Sequence, residues 1–331
     1  MNIFKCTNCG KLLNGFIPSK CECGFTVPII NGVYQFTDDA PISVDVDGLK
    51  WLGYEKVGEN YEPGYVYDKD NDNIGNSDKL AGYIGKDKIV LDLGAGLGIA
   101  SISCALAGLN VIAADISQVM LETAVKRAQK HNVPDDKVIF ARMNGYKLEL
   151  ADKSVDAIIA MDVLKQVDRP ELMVAEIKRV LKSDGYFLQY GGRRGLEYTA
   201  EQEAANARYA EIYKDIESFY DNLINKTGYG DRPVADWEKE EECIKENFIE
   251  HILLENTGWY GAINIKWSLK LGLHKIKTRA SGVKSLIPDD IHNNAWAKTD
   301  KYAKNKYGEN YEDIFRYLSG ENCNTILYTI R

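Results

Sequence analysis

The residues best suited to chemistry lie in one stretch, Ile89–Asp115, which reads IVLDLGAGLGIASISCALAGLNVIAAD. Gly94, Gly96 and Gly98 alternate with other residues, and glycine lets the backbone turn sharply and a ligand come close to it. A helix that follows such a turn offers free N–H groups at its N-terminus. Asp115 ends the stretch, where a carboxylate can accept hydrogen bonds from ribose hydroxyls. The stretch therefore predicts a nucleotide-binding site.

The elements that must position these residues alternate between buried strands and a helix. Ile89–Leu93 and Asn110–Ala114 are short apolar runs, typical of parallel strands covered on both faces. Ile99–Ala107 lies between them and is apolar enough for a helix packed on a sheet. This order predicts an open α/β sheet with its ligand at the carboxyl ends of the strands. A plain βαβ unit and a nicotinamide or flavin site are the alternatives.

The Gly-x-Gly-x-Gly spacing, preceded by Asp92, resembles motif I of the class I methyltransferases that depend on S-adenosylmethionine (SAM). The resemblance implies an α/β fold with a seven-stranded doubly wound sheet, and SAM as the cofactor. It also implies that the glycines line the methionine part of SAM and that Asp115 binds its ribose. The SAM-binding residues that the resemblance implies are Asp92, Gly94, Ala95, Gly96, Gly98, Asp115, Ile116, Asn144, Gly145 and Met161.

Asn144 departs from the pattern of this family. Counted back from Asp156, it takes the place of an acidic residue that in the family bonds the adenine amino group. The amide oxygen of asparagine can accept the same hydrogen bond. The alternative is an asparagine that only forms a turn.

The loop Met161–Val167 takes the place of the family's loop beside the methyl group. Many members carry histidines there, whereas this chain has Lys165 and Gln166, so a family histidine is not available as a general base. No base is clearly marked by the sequence. The weak candidates are Lys165, Asp162 and Tyr65, the last in an aromatic segment expected to fold over SAM as a lid.

Two adjacent arginines follow the predicted fifth strand, Tyr186–Tyr190. Arg193 and Arg194 would lie just past its end, where open α/β sheets place substrates. They are candidates to bind a carboxylate or phosphate. Two solvated arginines in a loop are the alternative.

Four cysteines near the N-terminus form the pairs Cys6-x2-Cys9 and Cys21-x-Cys23, and a glycine follows each pair. Four thiolates satisfy a tetrahedral Zn2+ site and leave no position for substrate, so the predicted zinc is structural. Two disulfides or free thiols are the alternatives, and a cytosolic setting disfavours disulfides. A zinc ribbon followed by this fold also resembles, in architecture, the bacterial ribosomal-RNA guanine-N1 methyltransferases.

The chain of 331 residues suits one large domain with attachments. We predict a zinc ribbon at 1–36, a linker and aromatic lid at 37–83, a SAM-binding core at 84–195, a helical cap insertion after the fifth strand at 196–257, and the C-terminal part of the sheet at 258–331.

Within the last two segments, the apolar spacing predicts six elements and the family adds one expectation about order. The predicted helices are Glu201–Leu223, Trp237–Asn256, Asp289–Lys306 and Tyr311–Leu318, and the predicted sixth and closing strands are Ala262–Trp267 and Asn324–Ile330. In the family, the closing strand is antiparallel and inserted between the fifth and sixth strands.

Composition and charge narrow the class of protein. The net charge is −8, and residues 201–250 alone hold 14 acidic and 6 basic residues, so the remainder is about neutral. The chain has no excess of basic residues of the kind that marks a nucleic-acid-binding surface. No apolar run reaches the ~20 residues of a membrane span, and the N-terminus lacks a signal-peptide core. We expect a cytoplasmic protein without a membrane partner.

Three functions remain open from the sequence. The first is methyl transfer to a small-molecule acceptor, which the acidic balance and the large insertion favour. The second is methylation of an RNA base, with a basic strip from Lys5, Lys11 and Lys20 toward Arg193 and Arg194. The third is a SAM-binding scaffold without catalysis. The helical insertion is also a candidate surface for a homodimer.

Overall fold

The computed structural model describes residues 2–39, 44–46, 49–51, 74–195, 197–229, 237–259, 261–279, 284 and 286–331. The side chains of 44–46, 49–51, 193 and 237 are not part of this description. Tyr65 and most of the predicted aromatic lid lie outside the described residues. The lid and the role of Tyr65 therefore stay predictions.

Twelve strands can be traced in the described ranges. They are β1 (Ile29–Ile30), β2 (Val33–Gln35), β3 (Val44–Val46), β4 (Leu49–Trp51), β5 (Ile89–Leu93), β6 (Asn110–Asp115), β7 (Val138–Arg142), β8 (Val155–Ile159), β9 (Leu181–Gly195), β10 (Phe248–Leu254), β11 (Ile263–Ser268) and β12 (Phe315–Ile330).

The α-helices of the same ranges are α1 (Asp78–Ile84), α2 (Ile99–Leu106), α3 (Gln118–Lys130), α4 (Pro170–Val180), α5 (Ala200–Asn225), α6 (Trp237–Asn247), α7 (Leu269–Gly272), α8 (His274–Lys277) and α9 (Asp289–Tyr307). Two 3-10 turns, Leu164–Gln166 and Tyr311–Asp313, complete the set.

The large sheet has the order β1-β2-β7-β6-β5-β8-β9-β12-β10, and β11 also pairs with β12. The run from β2 to β9 is parallel, and β12 is antiparallel to both β9 and β10. The antiparallel closing strand thus lies between its neighbours as the family resemblance implies. The sheet traced in the described ranges has ten strands where the resemblance implies seven, because β1, β2 and β11 extend it.

The C-terminal third corrects three of the predicted elements. The predicted helix Trp237–Asn256 ends at Asn247, and Phe248–Leu254 is a strand that pairs with residues 325–330. This strand occupies the place assigned to Ala262–Trp267, which instead gives β11, paired with residues 315–320. The predicted helix Tyr311–Leu318 is a 3-10 turn followed by β12. In each case the apolar run is short enough to form either a helix or a strand, and cross-strand pairing determines that it forms a strand.

The predicted zinc ribbon does not stand apart from the sheet. β2 pairs in parallel with β7, and Phe4 forms a bridge with Leu150. Phe4 is fully buried and stacks on Phe36 with 5.0 Å between ring centroids. The cysteine-bearing segment therefore shares a hydrophobic core with the central strands. Within Phe4–Leu13 the backbone forms bridges and turns.

A separate hydrophobic core lies in the second half of the chain, where α5 packs against α9 and β12. At its centre, His292 is buried and its Nδ1 lies 2.8 Å from the Tyr220 hydroxyl, while its Nε2 lies 3.0 Å from the Lys277 carbonyl oxygen. Nε2 is thus the donor and Nδ1 the acceptor, and burial lowers the pKa of this imidazole. His292 thus joins α5, through Tyr220, to the end of α8 at Lys277.

Asp156 anchors the edge of the sheet opposite the predicted site, and its contacts predict a pH-dependent stability. Burial alone would raise its pKa, but hydrogen bonds from the Ile89 backbone (2.9 Å), Lys182 (2.7 Å) and Lys88 (3.2 Å) outweigh burial and hold the pKa below its usual range. A carboxyl group with a lowered folded pKa stabilises the protein above its unfolded pKa of about 3.9 and loses that contribution as the pH falls through the folded value.

We therefore expect Asp156→Asn to lower the free energy of unfolding by about 1–3 kcal/mol at pH 7. Urea unfolding measured from pH 7 to pH 3 checks this, and the difference from wild type should shrink with falling pH. Asp135→Asn, a change at an exposed turn, is the control. A difference that is constant over this range would contradict the assignment.

No helix in the described ranges combines the length and the apolar character needed to cross a membrane.

Candidate functional site

The glycine turn between β5 and α2 is the centre of the candidate site. Gly94, Gly96 and Gly98 all have positive φ, at 73°, 53° and 73°. A Cβ atom at Gly94 would lie 2.8 Å from Cγ2 of Val163, and one at Gly98 would lie 2.9 Å from Cβ of Ala124. Side chains are thus excluded here by both conformation and space. The turn brings the backbone of residues 94–96 to a half-exposed position at the end of β5.

The ends of the neighbouring strands hold this turn. The N–H groups of Gly94 and Ala95 donate to the Ala114 carbonyl oxygen at 2.8 and 3.0 Å. The buried Arg127 guanidinium of α3 donates to the Leu97 carbonyl oxygen at 2.6 Å. The turn is therefore fixed from both sides before any ligand binds.

Asp115 is at the end of β6 and faces the glycine turn. Its two carboxylate oxygens accept hydrogen bonds from the N–H groups of Gly96 (2.9 Å) and Ser117 (2.8 Å). The Ser117 side chain in turn accepts from the Met120 N–H and caps α3. These bonds fix the orientation of the half-exposed Asp115 carboxylate beside the glycine turn.

Asp92 lies beneath the turn and is 4% exposed. Its carboxylate accepts a 2.6 Å hydrogen bond from the Ser101 hydroxyl in α2. Burial raises the pKa of Asp92 to about 6. Asp92 therefore ties the first turn of α2 to β5 from inside the protein, and its contact with SAM stays a prediction.

At the end of β7, Asn144 forms the turn that was the alternative to adenine binding. Its side-chain oxygen accepts a 2.9 Å hydrogen bond from the Tyr146 N–H. Its amide nitrogen donates to the Asp39 carboxylate at 2.8 Å. Gly145 is buried, and a Cβ there would lie 2.5 Å from Cε of Met173. Asp39, which belongs to the N-terminal segment, thus contacts the end of β7.

At the end of β8, the loop that begins at Met161 carries a buried ionic cluster. The Lys165 ammonium is 6% exposed and forms an ion pair with Asp162, whose side chain is 50% exposed and whose φ is 60°. Glu240 of α6 is buried, accepts a hydrogen bond from the Lys165 backbone, and faces both of these charges. Burial raises the pKa of Glu240. Of the three, Asp162 is the one that solvent or a substrate can reach.

Arg193 and Arg194 are part of β9 and do not form the predicted loop. β9 extends to Gly195, and Arg193 pairs in register with Cys323 of β12. The Arg194 side chain is exposed. The correction has a simple cause, since β12 begins well before the predicted closing strand and pairs with Arg193 and Gly195, with a register irregularity between them.

The four N-terminal cysteines converge as their spacing predicts. Their sulfur atoms all lie within 4.8 Å of one another, and Cys6–Cys23 and Cys9–Cys21 are 3.7 and 3.6 Å apart. Sulfur atoms bonded at about 2.3 Å to one tetrahedral Zn2+ would be about 3.8 Å apart, whereas a disulfide needs about 2.05 Å. Gly10 and Gly24 have positive φ and close the two turns. The arrangement fits zinc and does not form disulfides.

The fold brings most of the predicted SAM-binding residues to one edge. Because β7, β6, β5 and β8 are neighbouring parallel strands, their carboxyl ends carry Asn144, Asp115, the glycine turn and Met161 side by side. Sequence reasoning missed Asp39 and Glu240. Asp39 sits in an acidic linker and Glu240 in a run of glutamates, so neither has a local signal.

Residues 91–189 match the family model described as "Methyltransferase domain". The matched segment spans the central parallel strands of the mixed α/β sheet, which has the Rossmann-like fold of such domains. Among curated relatives, the demethylmenaquinone methyltransferase of Clavibacter sepedonicus is 38% identical over 96 residues, which is 29% of this chain and 38% of the relative. The ubiquinone/menaquinone biosynthesis C-methyltransferase UbiE of Bradyrhizobium sp. is 38% identical over 102 residues, 30% of this chain and 40% of the relative.

A third relative has a different activity in its name. The S-adenosyl-L-methionine-dependent Diels-Alderase iccD of Talaromyces variabilis is 28% identical over 156 residues, 43% of this chain and 53% of the relative. The chain thus spans about two fifths to one half of the length of these curated relatives.

Proposed function

We propose that this protein is a SAM-dependent methyltransferase that acts on a small-molecule acceptor. The observation that carries the proposal is the fixed glycine turn facing the Asp115 carboxylate at the carboxyl edge of the parallel strands, within the segment that matches the methyltransferase domain. Two of the similar curated proteins are named for methylation of menaquinone or ubiquinone precursors, which are small molecules.

The chain's own residues would hold SAM in defined ways. The backbone at Gly94–Gly96, half-exposed at the end of β5, would receive the methionine part. Asp115 would accept hydrogen bonds from the ribose hydroxyls, and Ile116, the next residue, would lie toward the adenine. Bound SAM supplies a methyl group on an excellent leaving group, so the protein mainly positions the acceptor for in-line attack.

Asp162 is the group best placed to hold a proton of the acceptor. Its side chain is half-exposed at the end of β8, and the buried Lys165 and Glu240 lie behind it. Lys165 forms an ion pair with the Asp162 carboxylate, and the positive φ of residue 162 turns it out of the strand direction. Lys165 itself is too deeply buried to meet a substrate, so its role is to position Asp162.

RNA methylation is less well supported. Lys5 pairs with Asp152 at 3.3 Å and Lys11 pairs with Glu22 at 3.1 Å. Two of the three lysines of the expected basic strip are thus neutralised locally, which leaves little charge to bind phosphates. A SAM-dependent reaction without methyl transfer is the second candidate, because one relative is named as a SAM-dependent Diels-Alderase.

We also propose that the four cysteines bind a structural Zn2+. Their sulfur atoms match the spacing of a tetrahedral site, and four sulfur ligands leave no open position for a substrate. The metal would fix a segment that contributes β2 to the sheet and Asp39 to the candidate site.

The test of the main proposal combines binding with transfer. We expect the protein to bind S-adenosylhomocysteine (SAH) in calorimetry, and Asp115→Ala to weaken that binding by about 10–100-fold, because charge-assisted hydrogen bonds to two hydroxyls are lost. Asp135→Ala, an exposed change on the loop before β7, is the matched control. The protein is then incubated with an extract and SAM that carries a labelled methyl group, and the label is measured in the separated small-molecule, RNA and protein fractions.

The outcomes distinguish the proposals. Label in the small-molecule fraction supports the acceptor proposed here, whereas label in RNA overturns it. SAH binding that Asp115→Ala leaves unchanged would place the nucleotide elsewhere. Tight SAH binding with no transfer to any fraction would favour the second candidate.

A further inference from the structure

The N-terminal segment brings a carboxylate to the nucleotide end of the site. The Asp39 carboxylate accepts a 2.8 Å hydrogen bond from the amide nitrogen of Asn144, and the Asp39 carbonyl oxygen accepts a 2.7 Å bond from Arg142. The Asp39 side chain is exposed. Three residues from two separate parts of the chain thus meet at the end of β7.

The orientation of Asn144 decides which acceptor faces outward. Its side-chain oxygen turns back to the Tyr146 N–H at 2.9 Å, and its nitrogen points to Asp39. An asparagine arranged in this way presents a donor to Asp39 and uses its oxygen in its own turn. The exposed acceptor at this strand end is therefore the carboxylate of Asp39.

Arg142 connects the backbone of Asp39 to the segment that follows Asp115. Its Nε donates to the Ile116 carbonyl oxygen at 3.1 Å, while its Nη2 donates to the Asp39 carbonyl oxygen. Ile116 directly follows Asp115, the proposed ribose ligand. One guanidinium therefore ties the backbone of Asp39 to Ile116, the residue next to the proposed ribose ligand.

We propose that Asp39 determines specificity for the adenine base by accepting a hydrogen bond from its exocyclic amino group, with Asn144 and Arg142 as positioning residues. This inference rests on the proposed function. A carboxylate suits the role because an ionised acceptor forms a stronger hydrogen bond with an N–H group than a neutral amide does. The hydrogen bond from Asn144 and a second from Thr37 lower the pKa of Asp39, so it is ionised at neutral pH.

A contact between Asp39 and the adenine would make the cysteine-bearing segment necessary for recognition of the cofactor. Residues 2–39 are part of the large sheet through β2, and their last described residue would contact the cofactor. Folding of this segment and recognition of the base would then be coupled, with no contact needed between the cysteines and a substrate.

The test compares SAH with its purine-riboside analogue, in which hydrogen replaces the 6-amino group. We expect wild type to bind SAH about 10–100-fold more tightly than the analogue, as for a hydrogen bond to a charged group. Asp39→Ala should bind both ligands alike, at the affinity of the analogue. Asp38→Ala removes a neighbouring exposed carboxylate and should leave the preference intact.

A rescue variant separates recognition from general damage. In Asp39→Ala/Asn144→Asp, the new carboxylate can keep the bond to the Tyr146 N–H with one oxygen and offer the other to the base, so the preference for SAH should return. If Asp39→Ala keeps the wild-type preference while Asp115→Ala loses SAH binding, the inference is overturned and the proposed function stands. If wild type binds neither ligand, both are overturned.

Discussion

Replacing Gly94 by alanine is expected to abolish cofactor binding at concentrations that saturate the wild type. The new Cβ would lie 2.8 Å from Cγ2 and 2.9 Å from Cβ of Val163, and the backbone at φ 73° is unfavourable for alanine. The conformational cost is about 1–2 kcal/mol, and overpacking adds about 1–3 kcal/mol. Because Val163 follows Asp162, its displacement also moves the proposed proton-holding group.

Gly108→Ala is the matched control for this change. Gly108 has φ 92°, but a Cβ there would meet nothing within 4 Å. It should show the conformational cost alone, so its free energy of unfolding should fall less than that of Gly94→Ala and its SAH affinity should stay unchanged. Urea unfolding and calorimetry measure the two quantities.

A double-mutant cycle isolates the collision. Val163→Gly removes the atoms that the alanine meets, so Gly94→Ala should cost less in that background than in wild type, by about 1 kcal/mol or more. Strictly additive effects would show that the close approach of Gly94 and Val163 does not limit this position.

Loss of the cysteine cluster is expected to have the second largest effect. We expect purified protein to carry about one zinc per chain, since four cysteines complete one tetrahedral site. Cys21→Ser should lose the metal, because one thiolate of the four is removed from a segment whose folding the metal supports. The melting temperature should fall by about 5 °C or more, since the segment shares a core with the central strands.

Cys243→Ser is the control, because Cys243 is a half-buried thiol outside the cluster. It should keep the zinc and the melting temperature of wild type. Elemental analysis and differential scanning calorimetry provide the measurements. Wild-type protein that contains no zinc after purification without chelators, and whose four thiols react freely with a thiol reagent, would contradict the metal assignment.

The sequence predicted the central part of the fold well. The β5–α2–β6 unit lies where the apolar runs and glycines place it, and the antiparallel closing strand is also confirmed. Here each signal is local: buried parallel strands read as apolar runs, and a turn with positive φ requires glycine. The same holds for the cysteine cluster, since ligand spacing within a short segment is a local property.

The errors fall where pairing across the sheet decides the structure. Residues 248–254, FIEHILL, could continue a helix or form a strand, and they form a strand because they pair with residues 325–330 of β12. The pairing of Arg193 and Gly195 has the same origin, because the first half of β12 lies alongside them. Local propensity for such short segments is weaker than the free energy of cross-strand pairing.

The sequence by itself determined that a glycine turn stands at the end of a buried strand, with an acidic residue on the next strand and a four-cysteine cluster before it. Only the tertiary structure decided that Asp39 meets Asn144 and that Glu240 faces Lys165. The physical reason is that local patterns are set by backbone conformation and burial within a few residues. Contacts between charges far apart in the chain depend on how whole elements pack, and no short pattern records that.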